Sequence, residues 1–373
     1  MKPHYPILDG LRGTAAILVV IFHLMEGFYP DLTKHPMHHG YLAVDFFYLL
    51  SGFVVGYAYD DRWAKGMTIK QFMKIRLNRL HPLVILGTVV GAIVFLLDPF
   101  RATSVIDIGK FVTIILFGFT LLPAPPSMDV RGWGETHPLD GPCWSLMQEY
   151  IANILYAVIG RKLNKAALWT LVIISGIILT IVSVDHGDVG TGWGYGKIQS
   201  KFIADFFYGP NSGGYPNIWV APVRMMFPFF AGLLLFRTGK LVRIPMAYIV
   251  CSLVLMALFF FPWYSWNGYY DAACIIIAFP LIVAMGAGGQ ISGRWATLCK
   301  FSGEISYPIY IMHYPFIYVY TLWIATAKPA GTTVFAVAVG LFFFFVLLGY
   351  AALKLYDEPV RAWLKKKYLT VVK

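Results

Sequence analysis

Apolar residues in this chain run in long blocks and do not alternate with polar ones. With edges good to a few residues, the blocks fall at 14–29, 41–59, 80–97, 106–122, 143–160, 166–184, 219–236, 244–261, 270–288, 303–325 and 332–355. A helix rises 1.5 Å per residue, so about 20 mostly apolar residues cross the ~30 Å hydrocarbon core of a bilayer. The blocks are therefore predicted to be the helices of one polytopic membrane domain, 1–373. No internal repeat, low-complexity linker or soluble domain is read from the pattern.

Composition agrees with this. The chain is 58% apolar and 13% charged, about half the charge of an ordinary soluble domain. A soluble core of this size would need more polar side chains to cover it. The net charge of +11 does not point to nucleic acid as a partner. Basic residues gather in the short gaps between blocks, where the positive-inside rule puts them, and no stretch interleaves them with stacking aromatics. Cys143, Cys251, Cys274 and Cys299 lack the spacing of a zinc or redox motif and read as inert thiols. No metal is expected. The first block reads as a retained span, because Asp9 and Arg12 crowd its start and no small-x-small cleavage site follows 23–26.

Charges in the gaps set a topology. Segment 60–79 holds Arg62, Lys65, Lys70, Lys74, Arg76 and Arg79 against two aspartates, which predicts a cytoplasmic position. Arg161, Lys162 and Lys165 mark a second basic gap, Arg237, Lys240 and Arg243 a third, and Arg361 with Lys365, Lys366 and Lys367 the tail. Three blocks separate the first basic gap from the second, and an odd number cannot return the chain to the same side. Block 106–122, short, interrupted by Gly118 and ended by Pro123, is the one expected not to cross. The fold expected is an all-α membrane protein of about ten transmembrane helices plus one re-entrant or interfacial segment, with both termini cytoplasmic.

Polar groups inside spans are expensive, so each is a functional candidate. Arg12 and His23 are 11 residues apart, about 16 Å and close to three turns, and share a face. Glu26 lies three residues further on and shares roughly that face. A neutral imidazole suits general-base catalysis, and an arginine below it suits an anionic ligand. A snorkelling arginine and a hydrogen-bonded core histidine fit equally, and spacing alone leaves both readings open. Asp45 could orient His23 as an acid orients a triad histidine, or it could hold spans together. Ser51-Gly52 reads as a close-packing step. Arg76 and Arg79, at the start of block 80–97, could fork around phosphates, although topogenic charge explains them too.

Further along, Trp144, Ser145 and Glu149 open a helix, with Ser145 and Glu149 four apart on one face. They lie under a loop rich in Gly, Pro, Trp and Asp on the expected outer side. The loop 185–217, with Trp193, Tyr195, Tyr208 and Tyr215, is also expected outside, where aromatics could stack on sugars or form an interfacial belt. Segment 305–315 places Ser306, Tyr307, His313 and two prolines within an apolar run. Such a broken helix is uncommon unless it lines a cavity.

These segments, taken in order, resemble the acyltransferase-3 family of bacterial membrane acyltransferases. The pieces are Leu8-Asp9-Gly10-Leu11-Arg12-Gly13 leading to His23, Val44-Asp45-Phe46-Phe47 with Ser51-Gly52, and Arg76-x-x-Arg79. Trp144-Ser145-Leu146 with Glu149, and Ser306-Tyr307-Pro308 with His313, complete the set. The resemblance covers nearly the whole length and implies a stand-alone membrane domain, without the C-terminal hydrolase-like domain some members carry. It implies a multi-pass protein of the bacterial inner membrane and an acyl-coenzyme A donor, acetyl by default, held by Arg12, Arg76 and Arg79. The acceptor implied is a hydroxyl of a cell-envelope carbohydrate or glycolipid. His23, Glu149 and Asp45 are the expected catalytic residues, with Asp45 setting the His23 tautomer. Trp144, Ser145, Tyr307 and His313 are expected to bind substrate. A transporter or flippase of an envelope precursor, and a catalytically dead scaffold, are the competing classes.

Overall fold

The computed structural model describes residues 4–29, 31–101, 107–186 and 220–369. Among them the regular elements are helices, as the block pattern predicts. In chain order they are α1 Pro6–Glu26, α2 Ala43–Ala64, α3 Ile69–Leu97, α4 Ile108–Thr120, α5 Cys143–Val158 and α6 Lys165–His186. Then follow α7 Val220–Thr238, α8 Ala247–Phe259, α9 Asn267–Gly288, α10 Gly293–Met312, α11 Tyr314–Ala327 and α12 Gly331–Tyr368. Single π-helical stretches sit at Cys274–Ala278 within α9 and Ala352–Asp357 within α12. Seven described helices are long and apolar enough to cross a membrane: α1, α2, α3, α6, α7, α9 and α12. Their outward residues suit lipid. Ile173, Ile174 and Ile177 on α6, and Phe335, Phe343 and Leu347 on α12, are exposed, a pattern that water would penalise and hydrocarbon does not.

The segment expected not to cross is a short helix. Asp107 accepts a hydrogen bond from the Lys110 backbone N–H at 2.7 Å and caps the start of α4. Leu121, with φ 58° in the left-handed region, ends it. Its 13 residues span roughly 20 Å, short of the ~30 Å core. Gly118 lets α4 approach α3, because a Cβ there would lie 2.5 Å from Thr88 Cγ2.

Contacts divide the chain into two compact units. The first comprises Met1–Ala15, Met37–Ile69 and Gln148–Gly303. Within it, α2 and α7 meet backbone to backbone. A Cβ on Gly52 would fall 1.8 Å from the Phe229 carbonyl oxygen, and one on Gly232 would fall 2.0 Å from that of Leu49. The close-packing reading of Ser51-Gly52 is thus met at Gly52. Gly10 and Gly13 do the same for α1, abutting Cys299 and Ser302 of α10.

The second unit comprises Ala16–Pro36, Lys70–Met147 and Glu304–Lys373. Val20, Leu24, Ile309, Tyr314, Tyr318 and Phe345 form its main core. Phe95, Ile114 and Leu139 form a smaller one beside α4. The block at 303–325 is broken, as its prolines predict. α10 ends at Met312, α11 restarts at Tyr314 with Pro315 in its first turn, and His313 stands at the break.

Candidate active site

His23 lies in the last turn of α1, three residues before Glu26, and helical spacing brings the two side chains together. His23 Nδ1 donates to Glu26 Oε2 at 2.6 Å. A carboxylate only accepts, so Nδ1 carries the proton of this contact, and in the neutral ring the lone pair lies on Nε2. The imidazole is held edge-on by Tyr314, with ring centroids 4.8 Å apart, and lies tilted beside His313 at 5.4 Å.

His313 is fully buried, and its Nδ1 donates to the Ile309 carbonyl oxygen at 3.0 Å. Its Nε2 therefore carries a lone pair too, and it has no hydrogen-bond partner among the described residues. The break in the helix is what frees this position: α11 begins again one residue later, so the ring sits between two helix ends. Two imidazoles with acceptor nitrogens, one backed by a carboxylate, make a site that can take a proton from a hydroxyl and return it.

Behind Tyr314 stands Glu135, from the loop 121–142. Tyr314 Oη donates to Glu135 Oε1 at 3.2 Å, and Tyr318 Oη donates to Oε2. The Gly141 N–H donates to Tyr318 Oη at 3.0 Å, and Arg131 lies 3.7 Å over the Tyr318 ring. Burial pushes the Glu135 carboxyl up to about 8, against the pull of Tyr318, Arg131 and Tyr314. Sequence reading passed over Glu135, because nothing about a loop carboxylate predicts two tyrosine hydroxyls from 179 and 183 residues away.

Other expected site residues of this unit are placed as follows. Ser145 Oγ donates to the Pro142 carbonyl at 2.8 Å and shares a 2.7 Å hydrogen bond with Tyr310 Oη. Tyr307 Oη donates to the Leu80 carbonyl at 2.7 Å. Trp144 is buried. Arg76 is buried on α3, and Arg79, one turn on, is half-buried and on the same face.

Arg12, Asp45 and Glu149 belong to the first unit. Arg12 Nη2 donates to Asp9 Oδ1 at 2.7 Å and to the Gly303 carbonyl at 3.3 Å. Glu149 accepts from Ser51 Oγ at 3.0 Å. Asp45 departs from expectation. Glu26 occupies His23 Nδ1, the position expected for Asp45. Both Asp45 oxygens are taken by Arg224, through Nη2 at 2.5 Å and Nε at 3.2 Å. The physical reason is that a fully buried carboxylate needs the strongest donor at hand, and a guanidinium fork supplies two parallel hydrogen bonds. Arg224 Nη2 also donates to the Tyr41 carbonyl. Beside the pair, Asp271 accepts from His39 Nδ1 at 3.0 Å and from Tyr41 Oη at 2.9 Å. Arg224 was missed, although a single arginine within the apolar block 219–236 was its signal. The aromatics Trp193, Tyr195, Tyr208 and Tyr215 lie outside the described residues.

Long apolar helices around buried ionisable groups define a multi-pass all-α membrane protein. Within that class the chain belongs to the acyltransferase-3 family, whose acyltransferase domain it matches over residues 5–354. It is similar to the acyltransferase MdmB of Streptomyces mycarofaciens, 27% identical over 334 residues, covering 83% of this chain and 78% of that protein. It is similar also to the O-acetyltransferase OatA of Staphylococcus aureus, 24% identical over 330 residues, 85% of this chain and 51% of that protein. A stretch of 190 residues, 48% of the chain, is 30% identical to Protein 2 in picA locus of Rhizobium radiobacter and covers 94% of it. No solved structure matches the chain.

Proposed function

We propose that this chain is an O-acyltransferase of the bacterial inner membrane. It moves an acyl group, acetyl by default, from acyl-coenzyme A to a hydroxyl of a cell-envelope carbohydrate or glycolipid. The family and the O-acetyltransferase relatives support the reaction class. The observation that carries the mechanism is the His23–Glu26 pair. In this reading His23 Nε2 takes the proton of the acceptor hydroxyl as its oxygen bonds to the thioester carbon. The C–S bond breaks, and the imidazolium returns the proton to the departing thiolate. Glu26 steadies the imidazolium while it exists.

The remaining roles belong to the same reading. Arg76 and Arg79, with Arg12, hold the donor phosphates from the cytoplasmic side, and Glu149 binds or deprotonates the acceptor. Trp144, Ser145, Tyr307 and His313 shape the substrate path, and about ten crossings leave both termini in the cytoplasm. A two-step version, with the acyl group resting on His23, keeps the same residues.

The test is acetyl-coenzyme A binding and turnover by the purified chain in nanodiscs. His23→Ala is expected to bind donor while losing about 10²–10⁴ of turnover, the usual worth of a general base. Arg76→Ala is expected to lose donor affinity. No affinity of the wild type for any acyl-coenzyme A would overturn the donor assignment and put a transporter first, since a flippase has no reason to recognise coenzyme A.

A further inference from the structure

A second open polar end lies in the second unit, at Asp140. α3, α4 and the loop 121–142 line a small, partly open cleft. Ile114, Phe117 and Leu122 give it apolar walls, and Asp140, His137 and Cys143 line it as well. The backbone fixes Asp140 firmly: its N–H donates to the His137 carbonyl, and its own carbonyl accepts from Cys143 N–H, both at 3.0 Å. Gly87 of α3 makes room for the carboxyl, since a Cβ there would stand 3.0 Å from Asp140 Oδ2.

The polar groups around the cleft are spoken for, with one exception. His137 Nδ1 bonds Thr136 Oγ1 at 2.9 Å, and its Nε2 donates to the Leu121 carbonyl at 3.3 Å. Cys143 Sγ donates to Asp140 Oδ2 at 3.3 Å. Asp140 Oδ1 has no partner among the described residues, although the residue is only 2% exposed. An unmet buried acceptor costs about 1–3 kcal/mol, more when charged, so the site calls for a donor that the described residues do not supply.

Size and chemistry narrow the donor. The space holds one water-sized group. A guanidinium would need both carboxyl oxygens for its fork, and Cys143 holds one of them. An isolated ammonium would meet apolar walls on most sides. A hydroxyl needs one acceptor, and the C–H face of the ring that bears it suits Phe117 and Leu122. We propose that this cleft is a subsite for one hydroxyl of a neutral polyol, with Asp140 Oδ1 as its acceptor. The identification of that polyol with the acyl acceptor rests on the function proposed above.

The same hydrogen bond could be made by a water, so the experiment separates the two. The chain in nanodiscs is titrated with methyl glucoside and with methyl N-acetylglucosaminide, read by saturation-transfer NMR, and acetyl-coenzyme A binding is measured on the same samples. Wild type is expected to show probe signals. Asp140→Asn, of the same size, is expected to weaken probe binding at least tenfold, and Leu122→Trp, which fills the mouth and leaves the carboxyl intact, should do the same. Both variants are expected to keep the wild-type affinity for acetyl-coenzyme A, which also reports that they are folded. Equal probe binding by wild type and both variants overturns the subsite, and so does a wild type that binds no probe, leaving a water alone on Asp140. Loss of donor binding in the wild type would strike the proposed function and leave the probe result to stand on its own.

Discussion

Two regions of this protein bury carboxylates, and they finish the work differently. In the first unit, Asp45 and Asp271 have both oxygens of each carboxylate met, by Arg224 on one side and by His39 and Tyr41 on the other. Within that set only His39 Nε2 lacks a partner. In the second unit Glu135 is likewise met by Tyr314 and Tyr318, but other groups stop short: among the described residues His313 Nε2 and Asp140 Oδ1 are buried without a partner, and Glu26 takes only Nδ1 of His23. A closed network holds helices in place. An open one pays a desolvation penalty that folding alone does not recover, which is the mark of groups kept for a ligand or a proton. On this comparison we propose that Asp45 serves to hold α2 to α7 through Arg224, and that Glu26 is the acid that acts with His23.

The sharpest way to break this contrast is to remove one partner from each region. His23→Ala is expected to lose about 10²–10⁴ in turnover with its melting temperature within a degree or two of wild type. Arg224→Ala leaves a buried carboxylate unpaired, which costs about 3–5 kcal/mol, and is expected to collapse yield and thermal stability. Replacing both members, Asp45→Leu with Arg224→Met, should recover most of that stability, because a buried pair replaced by packed apolar groups is close to neutral. An Arg224→Ala protein that melts like wild type but does not turn over would reverse the assignment.

Glu26→Gln tests the other side of the same distinction. A hydrogen bond to a charged group is worth about 1.5–3 kcal/mol, so turnover should fall roughly ten- to a hundredfold while thermal stability and donor affinity hold. Asp45→Asn should show the opposite profile, a lower melting temperature with turnover retained per folded molecule. Equal losses of turnover in both variants would restore Asp45 to the chemistry.

Much of the helical framework could be read from the chain because its cause is local. Blocks of about 20 apolar residues, the short block with Gly118 before Pro123, and the prolines flanking His313 each foretell an element or its end. Partnership is a different matter. Arg224 reaches Asp45 across 179 residues, and His39 reaches Asp271 across 232, so no periodicity carries that information. Glu26 was legible as a neighbour of His23 on one helix face, but the hydrogen bond between them was not, because spacing gives nearness and only the packing sets the pairing. Asp140 was invisible for a third reason: its significance lies in the partner it lacks.

Acid–base behaviour sharpens the contrast at a smaller scale. Burial raises the folded Glu135 carboxyl to about 8, above its ordinary 4.5. Between those values the folded state binds more protons than the unfolded one, so stability is greatest below about 4.5 and falls as pH rises through 8. The slope is at most about 1.4 kcal/mol per pH unit. Arg131 and Asp129 from the loop, and Tyr314 and Tyr318 from α11, face the group and remain in the variant. Melting temperature in detergent should therefore decline from pH 6 to 9, and Glu135→Gln should remove most of that decline. A wild-type curve flat over this range would show that the carboxyl is ionised and fully met, which would place it with the closed network of the first unit.

The smallest effect is expected at Ser145, whose hydroxyl would shape the substrate path through its neighbours. Its hydrogen bonds to the Pro142 carbonyl and to Tyr310 Oη tie the start of α5 to α10. A neutral hydrogen bond contributes a net 0.5–1.5 kcal/mol or about that. Ser145→Ala should therefore cost about 1 kcal/mol of stability and shift the KM for an acceptor less than threefold, and Tyr310→Phe should reproduce both values. If the hydroxyl instead leaves Tyr310 to bind substrate, Ser145→Ala will raise KM tenfold or more while Tyr310→Phe leaves it unchanged. That outcome would add Ser145 to the open ends of the second unit, beside His313 and Asp140.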